Sequence, residues 1–383
     1  MSSDRQASGS SHRACMSCVR RSWLLGELSG PLDYCARDRQ RLMELLELTD
    51  DELLKAVAGR RAAELKDRYR RFAAGEPPHP GHTQACRHRG GYPPGLSGLW
   101  APHMLEAAGG AQRLAELTTA PVVAIVGTRT PSDYGIEIAR SLARGLAASG
   151  VTVSACLTDG ISAAAHAGAL DAHGASIAVM HGGLGVSCPA RRRSLYERIT
   201  HAGCAVSELP HDCNGRRWGH LAAERVVVGL AQLTVLVEAE HTPGELAAAR
   251  TTQALGRTLG AIPGRVSSPL ATGPHALLRS GAELIRGPHD VLELLHSADR
   301  SLPEARPAEQ PLPDGVATTG LPPELKDTLA RVGSGCDTPE KLMYAGADPA
   351  GVLLALSELE LLGLLARGDG GRYLPRQPLA GLG

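Results

Sequence analysis

Aromatic side chains are scarce: the 383-residue chain holds 3 Trp and 1 Phe. With so few available, a Trp in a polar neighbourhood is informative. Net charge is lacking as well, because 40 Lys and Arg balance 40 Asp and Glu, so whole-chain charge identifies no partner. Lysine is missing altogether between Pro121 and Asp290, where 15 Arg accompany 13 acidic residues. Arginine suits bidentate phosphate contacts, although Arg-, Ala- and Gly-rich usage also follows from genome composition. No run of 18 apolar residues occurs, so no membrane span is expected. The N-terminus, MSSDRQASGSSHR, has no apolar segment of the kind a secretory signal needs. The 9 cysteines are an odd number spread over a long chain, which fits a reducing cytoplasm better than a disulfide framework.

What is present is organised around Val122 to Gly183. An apolar β-branched run, Val122 to Val126, is followed by the turn Gly127-Thr128-Arg129. Ile136, Ile138, Ala139, Leu142 and Leu146 then mark an amphipathic helix ended by Gly150. Val151 to Val153, Ala163 to His173 and Ser176 to Met180 continue as strand, helix and strand. This alternation predicts an α/β fold, a Rossmann-like parallel sheet flanked by helices with right-handed crossovers. Its C-terminal strand ends, Gly127-Thr128-Arg129 and His181-Gly182-Gly183, should share the edge where open α/β sheets bind ligands.

The remaining chain adds a small helical N-terminal module and a C-terminal winged-helix domain. Residues 1–35 are expected to be a disordered or Cys-containing segment, and 36–80 a helical module with a linker at Gly75 to Gly81. Thr49 reads as a helix N-cap followed by Asp50, Asp51 and Glu52. The α/β domain spans 81–297, a Pro-rich linker 298–320, and three helical patterns plus a Gly-turned hairpin 321–376. Cys15 and Cys18 form a CxxC, half of a tetrahedral zinc site. Cys35, His79, His82, Cys86 and His88 are scattered behind it. Reduced, unliganded thiols are therefore expected, with no metal and no cofactor.

A family resemblance rests on VAIVGTRTPSDYG, GISAAAHAGAL, HGASIAVMHGGL, GCAVSELP, RVVVGLAQLTVLVEA, LGRTLGAIPG and LLRSGAELI, taken in this order. Their succession resembles the DNA-processing protein A (DprA/Smf) family. CRHRGGYPPGLSGL is similar to the segment preceding that family's Rossmann-like domain, and Leu325 to Leu374 to its winged helix. The resemblance implies a cytoplasmic, non-enzymatic protein that binds single-stranded DNA, usually as a homodimer. It also implies help in loading a RecA-type recombinase during transformation or recombination.

Candidate DNA-binding residues follow. Gly127 and Thr128 bring backbone close to a ligand, helix amides behind them favour an anion, and Arg129 can bridge a phosphate. Gly182 and Gly183 offer a second bare turn, or both glycine turns are only tight connections. Arg191 and Arg192 precede a helix. By the resemblance, Arg225 matches the last Arg of an Arg-Asn-Arg signature, with an ion pair to Glu224 or Glu238 as the alternative. Arg217 and Trp218 lie close to where the family has a basic residue and a base-stacking aromatic, with core packing the equal alternative for Trp218, and Gly244 sits in the turn after the acidic strand. His166 is expected to be a hydrogen-bonded structural residue.

The chain departs from the family pattern at Asp159, Ser162, Ala223 and Glu224. These changes remove a cation or donor, or add a carboxylate, which repels phosphate. A nucleotide-binding or nucleotide-hydrolysing Rossmann-like protein, or a degenerate paralogue acting through protein contacts, is the alternative.

Overall fold

The apolar run from Val122 is the middle of the sheet. Strand β3 of the computed structural model (Val122–Val126) pairs in parallel with β4 (Thr152–Cys156) on one side and β7 (Leu233–Leu236) on the other. Both faces of β3 are covered, which is why its sequence is continuously apolar rather than alternating. The structure describes residues 13–72, 82–98, 100–186, 188–299, 321–333, 339, 342, 348–367 and 373–375. The chain divides into two units, Met1–Arg300 and Ser301–Gly383.

Seven parallel strands run in the order β6 (Cys204–Ser207), β5 (Ser176–Val179), β4, β3, β7, β8 (Thr258–Ala261) and β9 (Glu283–Leu284). These seven form the expected Rossmann-like parallel sheet. Two antiparallel strands, β1 (His82–Cys86) and β2 (Met104–Ala108), extend the β6 edge to give nine strands. Polar His82-Thr83-Gln84 hides β1 from a pattern search. Glu106 of β2 is 5% exposed and accepts from His82 Nδ1 at 3.0 Å and His211 Nδ1 at 2.8 Å.

Helices cover both faces. Helix α7 (Asp133–Ala148), α8 (Ile161–Asp171) and α13 (Pro288–Asp299) bury Leu142, Leu146, Ile161, Val291 and Leu295 against Val123, Ile125 and Val235. Helices α7 and α8 cross so closely that a Cβ on Gly168 would lie 2.1 Å from the Arg140 carbonyl oxygen. On the opposite face α6 (Ala111–Leu117) and α10 (Arg217–Leu230) bury Leu114, Val226, Val227 and Leu230 against Val122, Ala124 and Val206.

The N-terminal segment differs most from expectation. Residues 1–12 lie outside the described residues, but α1 (Met16–Glu27) and α2 (Ser29–Cys35) occupy a region in which no helix is predicted. Gly26, Gly30 and Pro31 break the pattern, yet Leu24, Leu28 and Leu32 are fully buried. Arg21, 3% exposed, binds the carbonyls of Leu46 and Leu48 and the carboxylate of Asp50. Helices α3 (Arg39–Glu47), α4 (Asp50–Val57) and α5 (Ala62–Arg71) follow, α4 opening with the expected cap: Thr49 and Glu52 form a reciprocal capping box. This module shares one apolar cluster with Leu209, Trp218 and Ala222, so it is packed onto the α/β domain rather than separate from it.

In the second unit, α14 (Pro323–Gly333), α15 (Pro349–Leu361) and the hairpin β10 (Leu365–Arg367) with β11 (Tyr373–Pro375) surround Leu329, Leu356, Leu359 and Tyr373. The middle helix expected at Pro339 to Ala345 lies largely outside the described residues. So do both expected linkers, apart from the last turn of α13.

Candidate nucleic-acid interface

After β6 the chain returns to the far side of β3, so the crevice between the ends of β3 and β7 is the topological switch point. A cavity of about 330 Å³ opens there, where open α/β sheets take ligands. Val126 to Thr130 form one wall, Cys156, Thr158 and Ser162 a second, and Glu224, Val227, Gly244 and Glu245 close it.

The loop after β3 is anchored by hydrogen bonds and close packing. The Thr128 amide donates to the Glu238 carbonyl at 2.7 Å, and its hydroxyl donates to Glu245 Oε1 at 3.0 Å. A Cβ on Gly127 would sit 2.7 Å from the Glu238 carbonyl and 2.8 Å from Ile161 Cγ1, so glycine is required by close packing. Arg129 is exposed and makes no hydrogen bond or ion pair with any described residue. It is a cation held at the lip by a fixed backbone.

The expected anion site at the start of α7 is already filled. Glu238 accepts from the Ser132 amide at 2.9 Å and the Ser132 hydroxyl at 2.6 Å, and Ser132 Oγ accepts from the Gly135 amide. A built-in carboxylate thus satisfies the helix dipole where a phosphate was expected. Helix α8 starts at the cavity instead: Ile161 N–H donates to the Thr128 carbonyl, and Ser162 lies in the wall.

The other predicted residues divide sharply. Gly244 faces open space. Gly182 and Gly183 are buried beneath the 210–215 loop: Gly183 N–H donates to the Cys213 carbonyl, and a Cβ on Gly183 would lie 1.9 Å from the Pro210 carbonyl oxygen. This turn is a packing device, not a bare edge. Arg192, 6% exposed, grips Asp159 through Nε at 2.9 Å and Nη2 at 2.7 Å and also donates to the Leu157 carbonyl. Arg191 reaches the same carboxylate at 2.6 Å. The Arg192 hydrogen bonds hold the Asp159 carboxyl below the usual range. The carboxylate expected to repel phosphate is therefore neutralised internally.

Arg225 and Trp218 need correction as contact residues. Arg225 is 1% exposed and pairs with Glu208, not with Glu224 or Glu238, while also donating to the Trp100 carbonyl. Trp218 is fully buried, its indole N–H donating to Ser29 Oγ at 2.9 Å. The spacing Trp218, Ala222, Arg225, Gly229 on one helical face is the signal that places both inward. Arg217 is exposed, with its backbone N–H on Asp33.

Of the departures from the family pattern, Ala223 is buried, and Glu224 pairs with Arg39 of α3 at 3.1 Å. Burial raises the Glu224 carboxyl, against the pull of Arg39. His181 and His220 stack at 4.2 Å near the cavity, and burial pushes both imidazoles down, His181 to about 4. His166 is structural: Ser176 Oγ–H donates to the Val153 carbonyl, leaving His166 Nδ1–H to donate to Ser176 at 2.7 Å.

A second, open groove continues from the same lip between α7, α8 and α9 (Ala190–Ala202). Arg129, Arg140, Arg191 and Arg198 line it, a cluster not foreseen from the sequence. Asp171 pairs with Arg140 and Arg198, and Asp159 with Arg191.

No helix among the described residues is long and apolar enough to cross a membrane. The chain is 36% identical over 250 residues to a protein described as a DNA processing protein DprA in Mycobacterium tuberculosis, covering 64% of this chain and 62% of that one. It is 36% identical over 253 residues to the Escherichia coli protein Smf, covering 65% and 66%. The chain thus spans somewhat less than two thirds of the length of these relatives. The crystal structure of DNA processing protein A from Streptococcus pneumoniae superposes with a TM-score of 0.58 at 26% identity, covering 73% of this chain and 98% of that one. Residues 84–296, the sheet and its helices, match the model for the DNA recombination-mediator protein A family, and the chain belongs to that family.

Proposed function

We propose that this chain is a single-stranded-DNA-binding recombination mediator whose DNA follows the lip of the switch-point cavity and the adjoining arginine groove. The observation that carries this is Arg129, an exposed guanidinium without an ion-pair partner among the described residues, which lines both the cavity and the groove. The groove sets four arginines against two aspartates. This leaves a positive track on which successive phosphates can exchange places with the internal carboxylates. Gly127, Thr128 and Gly244 shape the cavity, and Arg191 with Arg217 supply further exposed cations. Arg192, Arg225, Trp218, Gly182 and Gly183 act by holding this surface in place.

The family's description as recombination mediators supports the rest of the proposal: a cytoplasmic, non-enzymatic homodimer that passes DNA to a RecA-type recombinase. The C-terminal unit, proposed to be a winged helix, presents Leu353, Leu354, Leu361 and Leu362 to solvent. That apolar surface suits protein contact better than duplex DNA. A second reading, a nucleotide site, is favoured by the cavity's volume, which is within the range of small-ligand pockets.

Fluorescence anisotropy of the protein with a labelled single-stranded oligonucleotide across a salt series tests the proposal. Each phosphate contact contributes a slope of about 0.7 in log Kd against log salt. Arg129→Ala should weaken binding and reduce the slope by about that amount. Absence of binding even at low salt overturns the DNA reading. Full competition by a mononucleotide favours the nucleotide site.

A further inference from the structure

We propose that Cys15, Cys18, Cys86 and His88 form a structural zinc site that fastens the N-terminal helices to the edge of the sheet. The sequence displays only the CxxC half. The fold supplies the other half from 70 residues downstream. Cys86 ends β1, and His88 follows in the turn closed by Arg89 N–H to the Cys86 carbonyl. The Sγ atoms of Cys15, Cys18 and Cys86 all lie within 4.8 Å of one another. His88 Nδ1 is 3.3 Å from both Cys15 Sγ and Cys18 Sγ. With Zn–S bonds of about 2.3 Å, a tetrahedral site sets its sulfurs roughly 3.8 Å apart, so only small adjustments convert this cluster into a coordination sphere.

The donor set selects the ion. Three thiolates and an imidazole arranged around one point suit zinc, and hard cations are disfavoured. Four protein ligands leave no open position, so the site is structural rather than catalytic. The cysteines bind as thiolates, any thiol protons they carry being released to solvent, and the imidazole binds neutral.

The location explains why a metal is useful there. Cys15 is the N-cap of α1 and Cys18 lies in its first turn, whereas β1 is an edge strand. Between them the apolar contact is small: Ala14, Cys18, Cys86 and Met104, flanked by Cys15 and Val19. The Cys15 amide reaches Cys86 Sγ and the Ala14 amide reaches Gln84 Oε1, each at 3.4 Å, and Arg89 donates to the Arg13 carbonyl. A zinc ion would supply the connection that so few apolar groups do not.

The test is metal content and Co²⁺ substitution of the full chain, purified and reconstituted under reducing conditions. The expected result is about one zinc per chain, with a thiolate-to-cobalt charge-transfer band and the visible bands of tetrahedral Co²⁺. Cys86→Ser should lose the band, and Cys35→Ser, outside the cluster, should keep it. Should Cys86→Ser fail to fold, alkylation of the wild-type chain decides: Cys15, Cys18 and Cys86 should be protected until a chelator is added. Reconstituted protein without zinc and without a charge-transfer band overturns the proposal. So does an unchanged band in a folded Cys86→Ser variant, or alkylation of these thiols equally with and without metal.

Discussion

Arg192 holds Asp159 through two parallel hydrogen bonds, Nε to Oδ1 at 2.9 Å and Nη2 to Oδ2 at 2.7 Å. The guanidinium is buried, and its partner lies on the loop between β4 and α8, next to Thr158 of the cavity wall. It also reassigns two sequence features at once. An arginine expected on DNA is internal, and an aspartate expected to repel DNA is already neutralised.

Asp159→Ala strands Arg192 with only the Leu157 carbonyl. Breaking a buried pair from one side costs about 3–5 kcal/mol. Because Asp159 keeps 38% of its side chain exposed, screening brings the expected loss to roughly 2 kcal/mol, read as a lower urea midpoint. The same change releases the exposed Arg191 from its ion pair. Oligonucleotide affinity should therefore rise and the salt slope steepen, despite the lower stability. Unchanged affinity would show that Arg191 does not face the nucleic acid.

Trp218 gives a second prediction. Its indole N–H donates to the Ser29 hydroxyl, and its ring shares an apolar cluster with Leu28 and Leu32 of the N-terminal module. Trp218→Ala should cost about 3–5 kcal/mol, concentrated at that junction. Limited proteolysis should then cut first within residues 13–72, before the sheet. If base stacking were its role, the variant would instead lose oligonucleotide binding while resisting protease as well as the parent chain.

Legibility in the sequence follows how many faces an element buries. From Val122 to Ile262 the strands are short, mostly apolar runs with an occasional Ser or Thr, bounded by glycine or by helical patterns, and α7 carries an apolar stripe at helical spacing, so β3 to β8 and their helices are readable. Strand β1 begins with three polar residues, and β2 contains Glu106, whose burial depends on two histidines distant in sequence. Helices α1 and α2 carry their leucines across a Gly-Pro break and bury Arg21, whose partners lie 25 to 29 residues away. Within the candidate site, Gly127, Thr128 and Arg129 are local and are read correctly as a turn at the strand end. The bonds from Glu238 to Ser132, the N-cap of α7, and the pairs Arg39–Glu224, Arg192–Asp159 and Arg225–Glu208, are long-range. No spacing rule exposes them.

The buried histidines give a pH dependence whose sign can be worked out. Burial pushes His166 and His181 to about 4 and His103 to about 3, against an unfolded value of 6.5. Between pH 6.5 and about 4 the unfolded chain binds more protons than the folded one, so stability falls as the pH drops. Above 6.5 the contribution is complete, and it is lost progressively as pH descends to the folded values. For His166 alone the depression corresponds to roughly 3 kcal/mol. Carboxylates whose pKa is lowered in the fold, such as Asp159, add their loss only below about pH 4, so the two effects separate along the pH axis. Urea midpoints measured from about pH 7 to about pH 4.5 should decline steadily. His166→Asn, which keeps an N–H for Ser176 but cannot take up a proton, should flatten the decline. A midpoint independent of pH in the parent chain would mean that these imidazoles reach solvent, and with it that the core beneath β4 and β5 is open.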